Sequence, residues 1–557
     1  MVLALTGVPL VIVSIIAFVI ILGVIIIVHE GGHFFFARRA GILCHEFSIG
    51  MGPVVYKKRV GETNFCIRAI PIGGFVAMAG EEVESEQVKV GNYVGLNFID
   101  GKVSEIILDE NIDASVKGEI VDVDLYGVDG KDLFITINDG ISNQYFTVLN
   151  DAFYVFNNKS RLQITPYNRS FESKTLLERF LTLVAGAGMN FVLAIIIYLI
   201  VSFATGVPNY DSTKIGSLSN ALPVGEVLEV GDEITKINGV SVDSWNDLSF
   251  ELDKLIENNQ NVVEVEFIRD GITKTGTIKC TTYIVSIGIS DIQVMEKEFP
   301  SGVTSGVRLG NIAPRYLDEG KKGKYPLASG DIITKMRIDT VTKDGVLEGE
   351  VVEVTSWNQL IEVFKDVDVA NIYFEYYSYA KEGIVSIEEC AALQTYGNEV
   401  LENQRIDKLQ IKVGISPENH FDFFGVIGNS FTMFWNDFTL IFRTLGLLIA
   451  PSGIRQVGVS DLSSFVGIFG LVEQYVGAGL ISLLAFAAML SVNIGVMNLL
   501  PIPALDGGRV VFLGYELITR KKASKKVENI INNVFFILLM ILFVFVTYND
   551  ILRLIRG

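Results

Sequence analysis

Residues 25–39 read IIIVHEGGHFFFARR and bring His29, Glu30 and His33 together at the end of an apolar run. The stretch from Val8 to Val28 is long enough to cross a bilayer as a helix, and it lacks the basic start and cleavage site of a signal peptide. Ionisable side chains at membrane depth are costly and usually functional. We therefore predict a retained first transmembrane helix with a functional site at its end.

The composition is typical of a membrane protein that also has soluble domains. Of its 557 residues, 50% are hydrophobic, and the mean hydropathy is +0.42, which predicts a membrane protein with sizeable soluble parts. The formal net charge of -19 excludes nucleic acid as a partner, because phosphate binding needs clustered lysine and arginine. The lipid bilayer is the expected surrounding.

The four cysteines, Cys44, Cys66, Cys280 and Cys390, show no C-x-x-C spacing. They are typical of free thiols rather than of a cysteine zinc site or a dense disulfide framework. A disulfide between Cys280 and Cys390 is an alternative if those segments face an oxidising compartment.

Three further apolar stretches are predicted to cross the bilayer, at about Phe180–Phe203, Val476–Leu500 and Val527–Thr547. Residues 423–450 are apolar but dotted with polar groups, which favours an interfacial or partly buried helix over a fifth crossing. Lysine and arginine follow span one, precede span two and separate spans three and four. By the positive-inside rule these loops are cytoplasmic, so both termini and the segment between spans two and three lie outside. The flanking charges are Arg38, Arg39, Lys57, Lys58, Arg59, Lys174, Arg179, Arg520, Lys521, Lys522, Lys525 and Lys526.

The predicted outer segment contains a repeat. GDEITKINGVSVDSWNDL begins at Gly231, and GDIITKMRIDTVTKDGVLEGEVVEVTSWNQL begins at Gly330 with extra residues before its Ser-Trp-Asn. Both stretches have Gly-Asp, then alternating aliphatic residues, then Ser-Trp-Asn and a leucine. Matching residues in the same order indicate two copies of one domain. The pattern resembles PDZ domains, which bind a peptide as an added strand. The alternative is two β-rich domains that do not bind peptides. Trp245 and Trp357 are expected to be structural residues that each anchor the start of a helix.

The first cytoplasmic loop has two parts. Its beginning is predicted to form a β-hairpin that turns around Gly61 and Glu62. Residues from about Glu82 to Thr165 form an acidic, β-patterned insert with Asp-Gly turn signals and no catalytic constellation. We interpret the insert as an accessory β-domain.

The spacing of the opening motif suits a metal. Residues four apart share a helix face, so His29 and His33 can present two imidazole nitrogens to one Zn²⁺ while Glu30 acts as the base that takes a proton from water. A third ligand is expected from another apolar segment. Asp506, which follows a proline-broken stretch at the end of span three, is the candidate, and Asn498 in the same run can bind a backbone amide.

Four motifs in order carry a family resemblance: HEGGH, FSIGMGP, IPIGGFVAM and NLLPIPALDGG. The chain resembles the site-2 protease family of intramembrane zinc metalloproteases, in its bacterial RseP-like branch and especially the Gram-positive members. The resemblance implies that His29, His33 and Asp506 ligate zinc, that Glu30 is the catalytic base, and that Asn498 holds the substrate backbone. The chain departs from the family pattern at two places: it has AGAGMN at 185–190 where relatives tend to read AGP, and LSSFVGI at 462–468 where they tend to read LSGPVGI. Both departures are expected to affect local packing and substrate fit without touching the metal ligands or changing the reaction.

The expected fold is a polytopic α-helical membrane protein with about four transmembrane helices. The predicted segments are 1–53 (first transmembrane helix with HExxH), 54–80 (membrane-associated β-hairpin), 81–170 (cytoplasmic β-rich insert), 171–205 (second transmembrane helix), 206–290 and 291–415 (tandem extracytoplasmic PDZ-like domains, the second with an insertion), 416–475 (interfacial helix and linker), 476–518 (third transmembrane helix with the aspartate motif) and 519–557 (fourth transmembrane helix and C-terminus).

A transmembrane substrate must be unwound before it can be cut, because its carbonyls are already hydrogen-bonded. The hairpin could offer an edge strand to it, with Gly73 and Gly74 allowing close backbone approach or simply a bend. The PDZ-like pair is expected to act as a size filter or docking site. The resemblance implies single-span substrates of the anti-sigma-factor or signal-peptide type in the bacterial cell membrane. A catalytically inactive PDZ scaffold and a metal or solute transporter are the alternatives.

Overall fold

The computed structural model describes residues 8–80, 87–109, 111–157, 160–219, 223–257, 262–291, 299–312, 327–342, 345–395, 398, 408–449 and 464–556. The chain divides into two compact units. The first comprises Met1–Val201, Ser430–Ile441 and Ser463–Gly557, and the second comprises Ser202–Asn429 and Phe442–Leu462. The predicted start of the insert at Glu82 and the first two residues of LSSFVGI lie outside the described residues.

Long apolar helices dominate the first unit. Among the described residues, four helices, α1, α2, α7 and α9, are long and apolar enough to cross a membrane, in agreement with the predicted number. The predicted third span is interrupted, because Gly479 at φ +104° separates α6 from α7. In chain order the helices are α1 Val8–Arg39, α2 Leu176–Thr205, α3 Trp245–Glu257, α4 Trp357–Asp366, α5 Phe423–Ile449, α6 Phe465–Ala478, α7 Leu480–Leu499, α8 Asp506–Thr519 and α9 Lys525–Arg556.

Helix α1 packs closely against its neighbours at the depth of the HExxH motif. A Cβ atom on Gly32 would lie 2.5 Å from the carbonyl oxygen of Ala185, so the backbones of α1 and α2 touch there. Small residues let membrane helices approach in this way. One and two turns before His29, Ile25 and Leu22 form a core with Val472 of α6 and with α7. The motif is therefore held between several helices.

A β-hairpin follows α1. Its strands are β1 Cys44–Val60 and β2 Thr63–Met78, so the hairpin begins before the predicted Val54 and turns at residues 61 and 62. Both strands bend, and Ser48 in the first half of β1 pairs with Cys66 on one side and Phe75 on the other. The run Gly74–Met78 is consequently an outer edge, on whose free side no strand pairs within the described residues.

The insert is a six-stranded sheet in the order β4-β3-β5-β6-β7-β8. Alternating aliphatic residues such as Leu96, Ile106, Ile135 and Ile137 form its buried core, as the period-2 pattern requires. Its strands are β3 Tyr93–Ile99, β4 Lys102–Ile107, β5 Val116–Asp124, β6 Phe134–Asn138, β7 Asn143–Asn157 and β8 Ser160–Gln163.

The second unit contains the two repeats, each with one sheet and one helix. The first sheet has the order β12-β11-β13-β14, and the second has ten strands around β21-β18-β17-β16-β15-β24. The strands are β9 Val207–Pro208, β10 Ile215–Leu218, β11 Glu233–Ile237, β12 Val240–Ser241, β13 Val262–Arg269, β14 Ile272–Lys279, β15 Thr281–Ile284, β16 Ile289–Asp291, β17 Val307–Ile312, β18 Ile332–Thr342, β19 Gly345–Leu347, β20 Val351–Glu353, β21 Ala370–Ser378, β22 Gly383–Val385, β23 Leu393–Gln394, β24 Leu409–Lys412, β25 Ile415–Pro417 and β26 Asn419–His420.

The second repeat is nested inside the first. β15 begins at Thr281, within the range predicted for the first domain, yet it pairs with β24 of the second sheet. Conversely, β25 pairs back to β10, and Val413 packs into the core of the first repeat. The chain thus leaves the first repeat after β14 and returns to it after β24.

The same local contacts recur in both copies of the repeat. The Thr235 hydroxyl donates to the backbone oxygen of Glu266 at 3.1 Å, and the Thr334 hydroxyl donates to that of Glu375 at 3.1 Å. The lysine after each threonine pairs with the same glutamate, at 3.0 Å and 3.2 Å. Each Ser-Trp-Asn opens a helix whose tryptophan is buried. The four cysteines are free and buried, so Cys280 and Cys390 are not paired.

Candidate metal centre

Three side chains from distant parts of the first unit converge at the end of α1. The Nε2 atoms of His29 and His33 lie 3.3 Å apart, and each lies 3.2 Å from Oδ2 of Asp506. Both imidazoles are buried, and the carboxylate is partly buried. Glu30 is buried beside them on the same helix. The two histidines and the aspartate could hold one metal ion.

The spacing of the three ligand atoms fits tetrahedral zinc. Zn²⁺ binds imidazole nitrogen and carboxylate oxygen at about 2.0–2.2 Å, so tetrahedral ligands are about 3.3–3.6 Å apart. The three separations in the structure, 3.2–3.3 Å, lie at the short end of that range. Two imidazoles and one carboxylate also form the ligand class of catalytic zinc sites, which keep the fourth position for water or substrate. The residues therefore fit the ion.

Helix α2 orients both imidazoles. His33 Nδ1 lies 2.8 Å from the backbone oxygen of Thr182, and because a carbonyl only accepts, the proton sits on Nδ1 and Nε2 is left for a metal. On the other ring, His29 Nδ1 lies 3.3 Å from Nδ2 of Asn190. The buried Oδ1 of Asn190 has no hydrogen-bond partner among the described residues. Flipping this amide, whose orientation is an assignment, lets Oδ1 accept from His29 Nδ1–H.

The segment AGAGMN was expected not to touch the metal ligands, and that expectation was wrong. Asn190 contacts His29, and a Cβ atom on Gly186 would lie against Nε2 of His33 and 2.8 Å from Cε1 of His29. The physical reason is the close packing of α1 and α2, which leaves no room for a side chain at 186. Gly186 and Asn190 of this segment therefore border the two imidazoles directly.

Asp506 reaches the site because the chain turns sharply after α7. Pro501 and Pro503 prevent a regular helix, and Ala504 takes a left-handed φ of +74° before α8 begins at Asp506. A second contact ties α8 to α2. Arg179, one turn before the carbonyl that orients His33, pairs with Glu516 of α8 at 2.7 Å, and both side chains are largely buried.

A cavity of about 760 Å³ opens onto this cluster. Its walls include Gly73, Gly74 and the outer edge of β2, and Asn498 lies 3.4 Å from His29 Nε2. A Cβ atom on Gly74 would lie 3.0 Å from Cγ of Glu30 and 2.8 Å from the backbone oxygen of Ser48. Only glycine therefore lets this strand lie beside Glu30. Gly73 has a φ of +72°, a left-handed conformation that favours glycine and bends the strand.

Several residues at the site were not predicted from the sequence. Asn190 is a polar residue inside an apolar span, and that signal could have identified it. No sequence signal could have identified the Thr182 carbonyl, because every residue has a backbone carbonyl. His45 and Leu162 also line the cavity, although they lie in a strand and in the insert and carry no motif of their own.

The chain is similar over nearly its whole length to known zinc metalloproteases. The profile of Peptidase family M50 matches residues 17–542. Zinc metalloprotease RasP of Shouchella clausii is 30% identical over 546 residues, covering 97% of this chain and 99% of that protein. RasP of Oceanobacillus iheyensis is 30% identical with the same coverage. A solved PDZ domain of an SdrC-like protein from Listeria monocytogenes is 27% identical over 14% of this chain and 76% of its own, with a TM-score of 0.11, which carries no statement about fold.

Proposed function

The chain belongs to peptidase family M50 and is a zinc intramembrane protease of a bacterial membrane, and we propose that His29, His33 and Asp506 hold its ion while Glu30 is the catalytic base. The convergence of the three ligand atoms at zinc-like spacing carries this assignment. It favours a protease over an inactive PDZ scaffold or a transporter, neither of which needs a base beside three zinc ligands that leave the fourth position open.

The chemistry is divided between the ion and the side chains. Zinc, when bound, acidifies a water ligand and polarises the carbonyl of the peptide bond. Glu30 takes the proton from that water and delivers it to the leaving amine. Thr182 and Asn190 keep both imidazoles turned with Nε2 towards the ligand cluster. Asn498 borders the cluster and holds the substrate backbone.

The substrate is a transmembrane segment in extended form. A helix in the bilayer already satisfies its own carbonyls, so the enzyme must unwind it before hydrolysis. The edge strand Gly74–Met78 offers free backbone groups beside Glu30, and an unwound segment adds to it as a further strand. Gly73 and Gly74 allow that close approach.

Basic residues flanking the spans support a cytoplasmic position for the metal centre and an extracytoplasmic position for the repeats. The two repeats act as PDZ-like modules that filter or dock substrates. The substrates are single-span membrane proteins of the anti-sigma-factor or signal-peptide type whose outer domain has been trimmed. Deleting both repeats then permits cleavage of an untrimmed substrate, and unchanged selectivity contradicts this role.

The protease assignment is tested by reconstitution into vesicles with a synthetic single-span peptide of about 20–25 apolar residues. Wild-type protein is expected to cut within the apolar segment, to stop when a chelator removes zinc, and to recover when zinc returns. Asp506→Ala is expected to lose both zinc and cleavage. Cleavage that persists in Asp506→Ala, or that is insensitive to the chelator, contradicts the proposed ligand set.

A further inference from the structure

The β-rich insert is fastened to the hairpin that borders the metal centre. Arg169 donates two hydrogen bonds to the Glu62 carboxylate, each of 2.6 Å, at the hairpin turn. Gln163 of β8 donates to the same carboxylate at 3.0 Å. The guanidinium of Arg59 stacks 4.7 Å from the ring centre of Phe153 in β7. Charge-assisted, bidentate contacts of this kind fix orientation as well as distance.

The insert also reaches the catalytic cavity. Leu162 of β8 lines the same cavity as His29 and Glu30. His45 in β1 lines it too, and its Nε2 lies 3.0 Å from the hydroxyl of Thr165, just after β8. The insert therefore contributes Leu162 to one wall of the cavity, although none of the three proposed zinc ligands comes from it.

We propose that the insert is part of the substrate site: Leu162 is a specificity-determining residue that contacts the unwound substrate, and the Glu62–Arg169 pair is a positioning contact that holds this wall against the hairpin. This inference rests on the protease function proposed above. It assigns to the insert the selection of apolar side chains near the bond that is cut.

The size of the effect follows from the apolar character of the contact. An apolar pocket discriminates between side chains that differ by a methylene by about 10–200-fold. Shortening Leu162 to alanine enlarges the pocket by more than one methylene. The ratio of kcat/KM for a substrate with phenylalanine near the cut to that for one with alanine is therefore expected to rise about tenfold or more.

The experiment compares Leu162→Ala with Ile141→Ala in full-length protein reconstituted with two synthetic single-span peptides. Ile141 is 92% exposed in a turn of the same insert and is absent from the cavity lining, so it controls for loss of apolar surface. Both variants are expected to keep full zinc. Only Leu162→Ala is expected to change the kcat/KM ratio and the mapped cleavage positions. Identical profiles for the two variants overturn the proposal.

A second experiment does not require that the enzyme cleave its substrate. A photo-crosslinking residue is placed at 162 or at 141 in the Glu30→Gln background, and the same peptide is added. Crosslinking from 162 but not from 141 supports the contact, and no crosslink from 162 contradicts it. If wild-type protein cuts nothing, the protease function fails, while the crosslink still decides whether the insert touches substrate.

The positioning role of the Glu62–Arg169 pair is tested by measuring KM and zinc content. Arg169→Gln and Glu62→Gln are expected to raise KM several-fold with zinc content unchanged, because the wall and the edge strand no longer hold their relative position. The exchanged pair Glu62→Arg with Arg169→Glu is expected to restore KM. A merely structural pair would lower the unfolding temperature without a selective change in KM, and that result contradicts the positioning role.

Discussion

Replacing Gly186 with alanine perturbs the metal centre by one methyl group. The added Cβ would lie against His33 Nε2 and 2.8 Å from Cε1 of His29, closer than real Cβ contacts. Alanine is a better helix former than glycine by about 1 kcal/mol, so helix propensity favours the variant. Overpacking opposes it by about 1–3 kcal/mol. The variant therefore folds, and the ligand rings must move to make room.

Displaced ligands lower both zinc affinity and rate. Disturbing the orientation of a metal ligand typically costs about 10–100-fold in metal affinity. A displacement of about 1 Å at the reacting groups costs on the order of 100-fold in rate. We expect Gly186→Ala to combine these losses.

The assay measures zinc per protein after dialysis against graded chelator, cleavage of a single-span peptide, and the unfolding temperature. Gly188→Ala is the matched control, because it makes the same change on the same helix where a Cβ meets nothing within 4 Å. Gly188→Ala is expected to retain zinc and activity. Equal zinc affinity and equal cleavage in the two variants would refute the assigned ligand geometry.

Three further outcomes are expected. Asp506→Asn lowers zinc affinity at least tenfold in a chelator titration, because a neutral amide replaces the charged ligand; unchanged affinity would exclude Asp506 as a ligand. Arg179→Gln leaves Glu516 buried without its partner, so the unfolding temperature and zinc retention both fall, and Arg179→Glu with Glu516→Arg is expected to recover part of the loss. The hydrogen bonds from Arg169 lower the pKa of Glu62 from 4.5 to about 2, so the pair stabilises the fold above about pH 4.5 and the contribution is lost as the pH falls through about 2. The difference in unfolding temperature between wild type and Glu62→Gln should shrink over that range, and a constant difference would contradict it.

The local motifs were predictable because their chemistry is contained in a few adjacent residues. His29 and His33 share a face through helical periodicity alone, and their apolar surroundings mark them as functional. Asp506 is 473 residues from His33, and it was predicted from the proline-broken end of an apolar span. The structure brings His29, His33 and Asp506 together beside Glu30.

The remainder of the site depends on tertiary packing. Gly186 and Asn190 border the imidazoles because α2 lies in backbone contact with α1. No local sequence pattern predicts which helices pack against each other. The nesting of the repeats depends on β15 pairing with β24 and on β25 pairing with β10, and such distant strand partners leave no periodic trace. Leu162 was assigned to an accessory domain because its strand pattern predicts a sheet and says nothing about which cavity that sheet borders.

Replacing Glu30 with glutamine separates the base from the metal ligands most directly. Zinc content and peptide cleavage are measured on the same vesicles for wild type and Glu30→Gln. The account predicts that Glu30→Gln keeps zinc at the wild-type level, because the three ligands are unchanged, and loses cleavage by several orders of magnitude. Zinc-dependent cleavage that persists in Glu30→Gln would contradict the assignment of Glu30 as the base.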